Sequence, residues 1–477
     1  MIPFLPDGRS AAGPPHRRLL RCTEAAERAG SFHVQGEAGD ARNSGTIALA
    51  EDHQGNCSGI LQAPGVGTIE IRRTTDHTWA KPDDDAWRAR PGGGAAPMGD
   101  DHTGGMSATR AEPGLGLPSL PARIAEPGEA ITMDELRLAS RNHAMPLEAL
   151  RHELTPAGLH YLLIHYDIPE AEPGHWRLRL GGAVDRPVEL SLAELRARPR
   201  VTHTVTLECA GNGRALLDPR PLSQPWLDGG VGTAEWTGTP LAPLLREAGL
   251  DPAAVEVCFT GADHGVERGV EQTYARSLPL AEALREDALL ADTMNGAPLP
   301  PQHGAPLRLV VPGWYGMAQV KWLTEVTVLT EPFTGFQQVV AYRFKQEAED
   351  PGEPVTRIGP RALMVPPGFP DFMSRVRVCE RTAQLLTGRA WSGRPPVTAV
   401  EVSTDGGLSW QPAALGPAAD TYAWRPWHHP WHPEVPGTYR LMVRASDASG
   451  RAQPAGPDWN RQGMGNNGVQ VVDVVVR

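Results

Sequence analysis

The sequence predicts an α+β domain over residues 130–335 and an all-β sandwich over 340–477, with residues 1–125 disordered or a non-native extension. Three observations carry this. Between about 130 and 335, β-branched runs and short amphipathic segments mix without the regular strand–helix alternation of a parallel sheet. After about 335, short apolar runs follow one another, divided by turn residues. Before about 125, Gly, Pro, Asp, Arg and Ala dominate, as in Pro91-Gly-Gly-Gly-Ala-Ala-Pro97. No helical or strand period persists there, and too little apolar surface is on offer to offset the entropy of ordering. A true start at Met106 or Met133 is the sharper form of that expectation.

Each element has its own signal. Trp176–Gly181 and Val201–Glu208 read as strands. Ser191-Leu-Ala-Glu194 is a capping box opening a short helix. Thr239 and Pro240 stand as N-cap and first helical residue before Leu241–Ala248, which Gly249 ends. Val255–Thr260 is a strand, Leu280–Arg285 a helix, and Leu289–Met294, Leu307–Val311 and Lys321–Leu329 are strands, with Asn295-Gly296 a turn. The strands Leu386–Trp391, Thr398–Ser403, Ser409–Pro412, Tyr439–Ala445 and Val469–Val476 make the second domain immunoglobulin-like. Trp391, Trp410 and Trp424 are expected in its core. Trp427-His-His-Pro-Trp-His432 resembles a metal cluster only superficially, since its prolines break any strand or helical register.

Composition narrows the function. A net charge of −11 argues against nucleic acid as a partner. No apolar run approaches 18 residues, so no membrane span is expected. Cys22, Cys57, Cys209, Cys258 and Cys379 are scattered, odd in number and form no Cys-x-x-Cys pair. A zinc site or disulfide framework is therefore not expected, and a reducing compartment fits. The twin arginines Arg17-Arg18 and Arg72-Arg73 lack the apolar segment of an export signal, which leaves a cytoplasmic location as the expectation.

The most informative run is Val201-Thr-His-Thr-Val-Thr-Leu-Glu-Cys-Ala-Gly-Asn-Gly-Arg214. A strand ends in a single thiol, small residues follow, and a cation stands five residues on. Positive charge nearby favours the thiolate, the form that binds metals. The plainer alternative is a buried cysteine acting as a small hydrophobe.

That run, the segment Asn295-Gly-Ala-Pro-Leu-Pro-Pro-Gln-His-Gly-Ala-Pro-Leu-Arg-Leu-Val-Val-Pro-Gly313, Val320-Lys-Trp-Leu323 and Val402-Ser-Thr-Asp-Gly-Gly-Leu-Ser-Trp410 together resemble the sulfite oxidase family of molybdenum enzymes, over roughly residues 140–477. The resemblance implies a first domain that binds molybdenum-molybdopterin and a sandwich that makes a homodimer. It implies that Cys209 is the metal's protein ligand, beside two sulfurs of the pterin. Soft sulfur donors suit such a centre, and the cofactor carries the hard chemistry. By motif, the cofactor contacts fall on Tyr161, Leu162, Leu163, Ile164, His165, Asp263, His303, Arg308, Gln319, Val320 and Lys321. Arg308 and Lys321 are suited to its phosphate. Arg214 and Tyr342 fall on catalytic positions, the arginine attracting an anion and the phenol bonding the transferring oxygen.

Substrate positions fit less well. Counting back from Cys209, the family's Arg-Asn-His triplet falls on Leu163-Ile164-His165, so its arginine becomes Leu163. A genuine Arg141-Asn142-His143 stands about twenty residues too early and reads as a decoy unless the loop folds back. A further arginine after Trp459-Asn460 becomes Gln462, with Arg461 one residue early. Two lost guanidinium groups, at about 1.5–3 kcal/mol per charged hydrogen bond, would weaken sulfite binding about a hundredfold or more. An organic sulfoxide or other less charged substrate then becomes the expectation. The histidines at 53, 77 and 102 are isolated, so no haem is expected and a separate electron carrier is implied. The reading is thus a small-molecule oxidoreductase that moves one oxygen atom. Its alternatives are a sulfoxide reductase running in reverse and, from another class, a cofactor-less binding protein.

Overall fold

The computed structural model describes residues 123–477 and, as backbone, five strands between Phe32 and Pro82. These parts belong to two separate units. In the first, β1 (Phe32–Asp40), β2 (Asn43–Glu51), β3 (Cys57–Ala63), β4 (Gly67–Arg73) and β5 (Thr78–Pro82) form an antiparallel meander. This corrects the expectation of no regular structure there. Short alternations such as Thr68-Ile-Glu-Ile71 carry the strand period, and glycine-rich neighbours masked it. The rest of that expectation, with Arg17-Arg18, Cys22 and a start at Met106, lies outside the described residues. A start at Met133 conflicts with the fold: Thr132 caps helix α1 (Met133–Arg141) through a full capping box, and Ala125 N–H donates to Arg220 O.

In the second unit, strands β6 (Arg177–Gly182), β7 (Val188–Ser191), β8 (Val201–Glu208), β9 (Val231–Pro240), β10 (Glu256–Glu267), β11 (Val270–Pro279), β12 (Leu289–Met294), β13 (Ala297–Pro298), β14 (Arg308–Val310) and β15 (Leu323–Leu329) build one mixed and one antiparallel sheet. One has the order β11-β10-β15-β6-β7. The other has the order β13-β12-β9-β8, with β14 on β12. The helices α2 (Leu192–Arg196), α3 (Leu241–Ala248) and α4 (Leu280–Ala283) are short connectors. The Ser191 capping box forms as predicted. Thr239 does not cap α3: it remains in β9, donating to Leu195 O, and Pro240 is the N-cap. Asn295 and Gly296 both take positive φ, the backbone a tight hairpin turn requires.

Two sheets of the C-terminal region face each other across an apolar core. The four-stranded sheet has the order Arg361–Met364, Gln384–Trp391, Arg425–Trp431, Ala414–Leu415. The six-stranded sheet centres on Gly437–Asp447 and Gln470–Val476, the latter alternating buried and exposed throughout. Trp391 and Trp424 are buried, but in the core shared with the first domain and not in the sandwich's own, which holds Trp427 and Trp431; Trp410 is half-buried under the Arg444 guanidinium, 4.2 Å away. Arg425–Trp431 is a strand despite its prolines. Gly416 N–H donates to Pro426 O, so the even positions aim their backbone at the short edge strand. Ladder bonds to Gln384–Trp391 therefore come from the odd positions and lose nothing.

The two regions are not independent. One core cluster runs from Leu178, Leu245 and Phe259 through to Ile358, Leu363, Trp391 and Met464. Among the described residues, no helix is long and apolar enough to cross a membrane.

Candidate active site

Strand β8 delivers Cys209 to the head of a cleft. The Cys209 N–H donates to Gly230 O at 2.8 Å, and Asn212 N–H returns to Cys209 O at 3.0 Å, closing a tight turn. Glycine is required within it: a Cβ on Gly211 would lie 2.5 Å from the Arg214 guanidinium. The side chain of Cys209 is only 5% exposed. Burial pushes its thiol pKa up, outweighing the opposing pull of Arg214. The thiolate expected from Arg214 alone is therefore not what the protein by itself favours, since desolvation disfavours the charged form.

An inner cleft with a cavity volume of about 60 Å³ is lined by Cys209, Tyr161, Leu162, Leu163, His165, Asp263, His303, Arg308, Gln319, Lys321 and Tyr342. The structure thus gathers most of the predicted residues from distant parts of the chain. A register shift in β10 between Thr260 and His264 turns Asp263 inward. The left-handed Gly304 lets Lys321 approach, since a Cβ there would sit 2.9 Å from the lysine's own Cβ. A π turn at Gln337–Ala341 presents Tyr342, whose hydroxyl lies 2.6 Å from His165 Nε2.

Electrostatically the inner cleft is a set of cations and neutral imidazoles held out of water. Burial, with positive neighbours, lowers His303 to about 2 and Lys321 to about 7; burial by itself lowers Arg308 to about 10 and raises Asp263 to about 6. Lys321 Nζ donates to Leu163 O at 2.7 Å, and Arg308 donates to His303 O at 3.0 Å. Arg308 Nε, His160 Nε2 and Asp263 Oδ1 are buried without a protein partner.

Four predicted residues behave differently. The Gln319 amide is fully engaged, accepting from Val311 N and donating to Val311 O and Trp314 O. It pins a turn rather than reaching for a ligand. Val320 is buried, outside the cleft lining, with its carbonyl accepting from Leu309 N. Ile164 and Arg214 line a second, outer cleft of about 500 Å³ that shares Cys209, Leu163, His165 and Tyr342 with the first.

The outer cleft corrects the decoy reading. The bridge between His143 and Leu162 is antiparallel, and Asn142 Oδ1 accepts from Ile164 N at 2.7 Å. The loop folds back, so Arg141 lines the cleft with Cys209. Counting along the chain failed because the two triplets lie side by side. Arg461 lines the same cleft, as do Arg214 and Arg268. Among the described residues these four pair with no carboxylate. The other arginines of the lining do: Arg123 with Glu129, and Arg137 with Asp134. His160, Tyr274 and Arg268 had no sequence signal, because isolated polar residues acquire a site only through topology.

Comparison with known proteins gives a consistent picture. Residues 165–337 match the oxidoreductase molybdopterin binding domain, and residues 370–476 the Mo-co oxidoreductase dimerisation domain. The chain is 35% identical to sulfite oxidase of Gallus gallus over 68% of its length and 73% of the relative's. It is 33% identical to the mitochondrial sulfite oxidase of Rattus norvegicus, of which it covers 62%. It is 31% identical to an NADH nitrate reductase of Oryza sativa subsp. japonica, of which it covers 38%. The solved structure of the sulfane dehydrogenase SoxCD from Paracoccus pantotrophus aligns with a TM-score of 0.62 at 25% identity, over 77% of this chain and 92% of that one. A strand-end cysteine in a cation-lined cleft, ahead of a dimerisation sandwich, is thus explained: the chain belongs to the sulfite oxidase family of molybdopterin-dependent oxidoreductases.

Proposed function

We propose that the protein oxidises a small sulfur anion, sulfite or one of similar size and charge, adding one oxygen atom and passing two electrons to a separate carrier. The observation that carries this reading is the set of four arginines without carboxylate partners, Arg141, Arg214, Arg268 and Arg461, around the cleft that holds Cys209. They differ in depth: Arg214 is buried, Arg461 half-buried, Arg141 and Arg268 exposed at the rim. Rim charges draw an anion in, and the buried one fixes it. This reverses the expectation of a less charged substrate, which rested on Leu163 and Gln462 standing where arginines were sought.

The lining side chains of the inner cleft suit the family's cofactor. Its anionic phosphate suits Arg308, whose Nε lacks a partner, and Lys321. Among the described residues, Cys209 is the one cysteine lining either cleft and would hold the metal. When bound, the centre supplies the two-electron redox change. Tyr342 lines the cleft with Cys209 and bonds His165, and burial raises its phenol pKa, so it stays protonated and donates a hydrogen bond. Burial lowers His165 to about 3, so its imidazole is neutral and accepts.

Assaying sulfite oxidation and methionine sulfoxide reduction side by side tests the reading. Sulfite turnover should dominate, with a KM that climbs as salt screens the rim arginines. Faster reduction of the uncharged sulfoxide would contradict it. A homodimer follows from the dimerisation domain. We assign its contact to the hairpin after Phe369–Pro370, where Phe372 and Met373 are 82% and 83% exposed. Phe372→Asp with Met373→Asp is expected to shift the mass in solution from dimer to monomer by light scattering; an unchanged dimer would place the contact elsewhere.

A further inference from the structure

We infer that the C-terminal sandwich is a working part of the metal site, because Arg361 and Trp391 position Cys209 through Glu208. The inference rests on the reading of Cys209 as the metal's protein ligand. Glu208 immediately precedes that cysteine and is 2% exposed, yet its carboxylate is fully bonded. One oxygen accepts from Arg361 at 3.1 Å and from Asn212 at 2.9 Å; the other accepts from the Trp391 indole at 2.8 Å. Arg361, itself 1% exposed, also donates to Asp228 at 2.7 Å and to Asn466 O. Both clamping residues belong to the four-stranded sheet of the sandwich.

The same region holds the far side of the turn. Gly465 N–H donates to Ala210 O at 2.7 Å, and the Asn466 amide donates to Gly213 O at 2.7 Å. The turn carrying Cys209 is therefore gripped from both flanks by chain that follows residue 360. A carboxylate left in a dry interior without its guanidinium would be strongly unfavourable, so the clamp admits one geometry. A ligand fixed by packed, charged supports keeps a single orientation at its metal, whereas loosening the supports changes the metal's electronic environment. The chain could have anchored this turn with apolar contacts. A clamp with two of its three donors from another region makes the sulfur's position depend on the docking of the sandwich.

The test uses the molybdenum-loaded enzyme and two mild variants, Trp391→Phe and Arg361→Lys. Each is smaller than the residue it replaces and removes or displaces one donor to Glu208. The half-reduced, paramagnetic state of the metal is recorded by electron paramagnetic resonance, with metal content measured alongside. The expected result is an altered or doubled spectrum at unchanged metal content, with kcat down about tenfold and KM within twofold of the parent, as for an interaction felt at the reacting centre and not in binding. A spectrum identical to the parent's in both variants would overturn the inference. Should either variant load less metal, the spectrum of its loaded fraction decides in the same way. Failure of the underlying reading is distinguishable, since Cys209→Ser would then leave the parent spectrum unchanged.

Discussion

Cys209→Ser is expected to abolish oxygen transfer while leaving the fold intact. The replacement is nearly isosteric, and the backbone bonds that hold the turn, from Cys209 N to Gly230 O and from Asn212 N to Cys209 O, do not involve the sulfur. A hydroxyl is a far harder donor than a thiolate and cannot serve as the same ligand to a sulfur-seeking metal. The loss should exceed the roughly 10–100-fold seen when a residue that only supports a ligand is removed. Steady-state sulfite turnover, with circular dichroism to confirm folding, measures it. Because burial pushes the Cys209 thiol up, the free protein holds a protonated thiol. Metal capture at this residue must release a proton and should weaken as pH falls. Full turnover in the serine variant would remove this sulfur from the mechanism.

Arg214→Met is the second large effect. Three of the arginine's donors are engaged, by Gln462 O at 3.0 Å, Gln224 O at 3.2 Å and Met464 Sδ at 3.4 Å. A guanidinium carries five N–H groups, so two are left for an anion in the cleft. At about 1.5–3 kcal/mol per charged hydrogen bond, losing both lowers kcat/KM for sulfite about a hundredfold or more. The same change should affect an uncharged sulfoxide far less. Equal losses on both substrates would show that Arg214 supports the C-terminal loop and does not bind the anion.

Much of the first domain was legible because its signals are local. Val201–Glu208, Leu241–Ala248 and Leu289–Met294 end where the sequence ends them, since β-branched runs and a terminal glycine set those limits within a few residues. Strand β9 was not legible: Gly232 and Gly238 replace the side chains that would mark a strand, because neighbours sit against them. A Cβ at Gly238 would lie 2.0 Å from Leu290 O, and one at Gly232 would lie 2.5 Å from the His160 ring. Strand β11 reads as polar because one face is exposed. The histidine–tryptophan run at 427–432 was misread because the bonding side of a proline in a strand depends on its neighbours.

The site shows the same division. The cysteine turn and the residues around His303 and Lys321 were visible as compact motifs. Arg141 was visible yet set aside, because sequence distance stood in for spatial distance. Gln319 and Val320 carried family positions but, here, structural duties. Contacts that cross from the sandwich, such as Arg361 with Glu208, join residues 153 positions apart. No local pattern encodes them.

The most direct measurement is X-ray absorption at the molybdenum edge on the loaded enzyme and on Cys209→Ser. The account predicts three sulfur neighbours in the parent, two from the pterin and one from Cys209, and two in the serine variant. The same sulfur count in both proteins would contradict it.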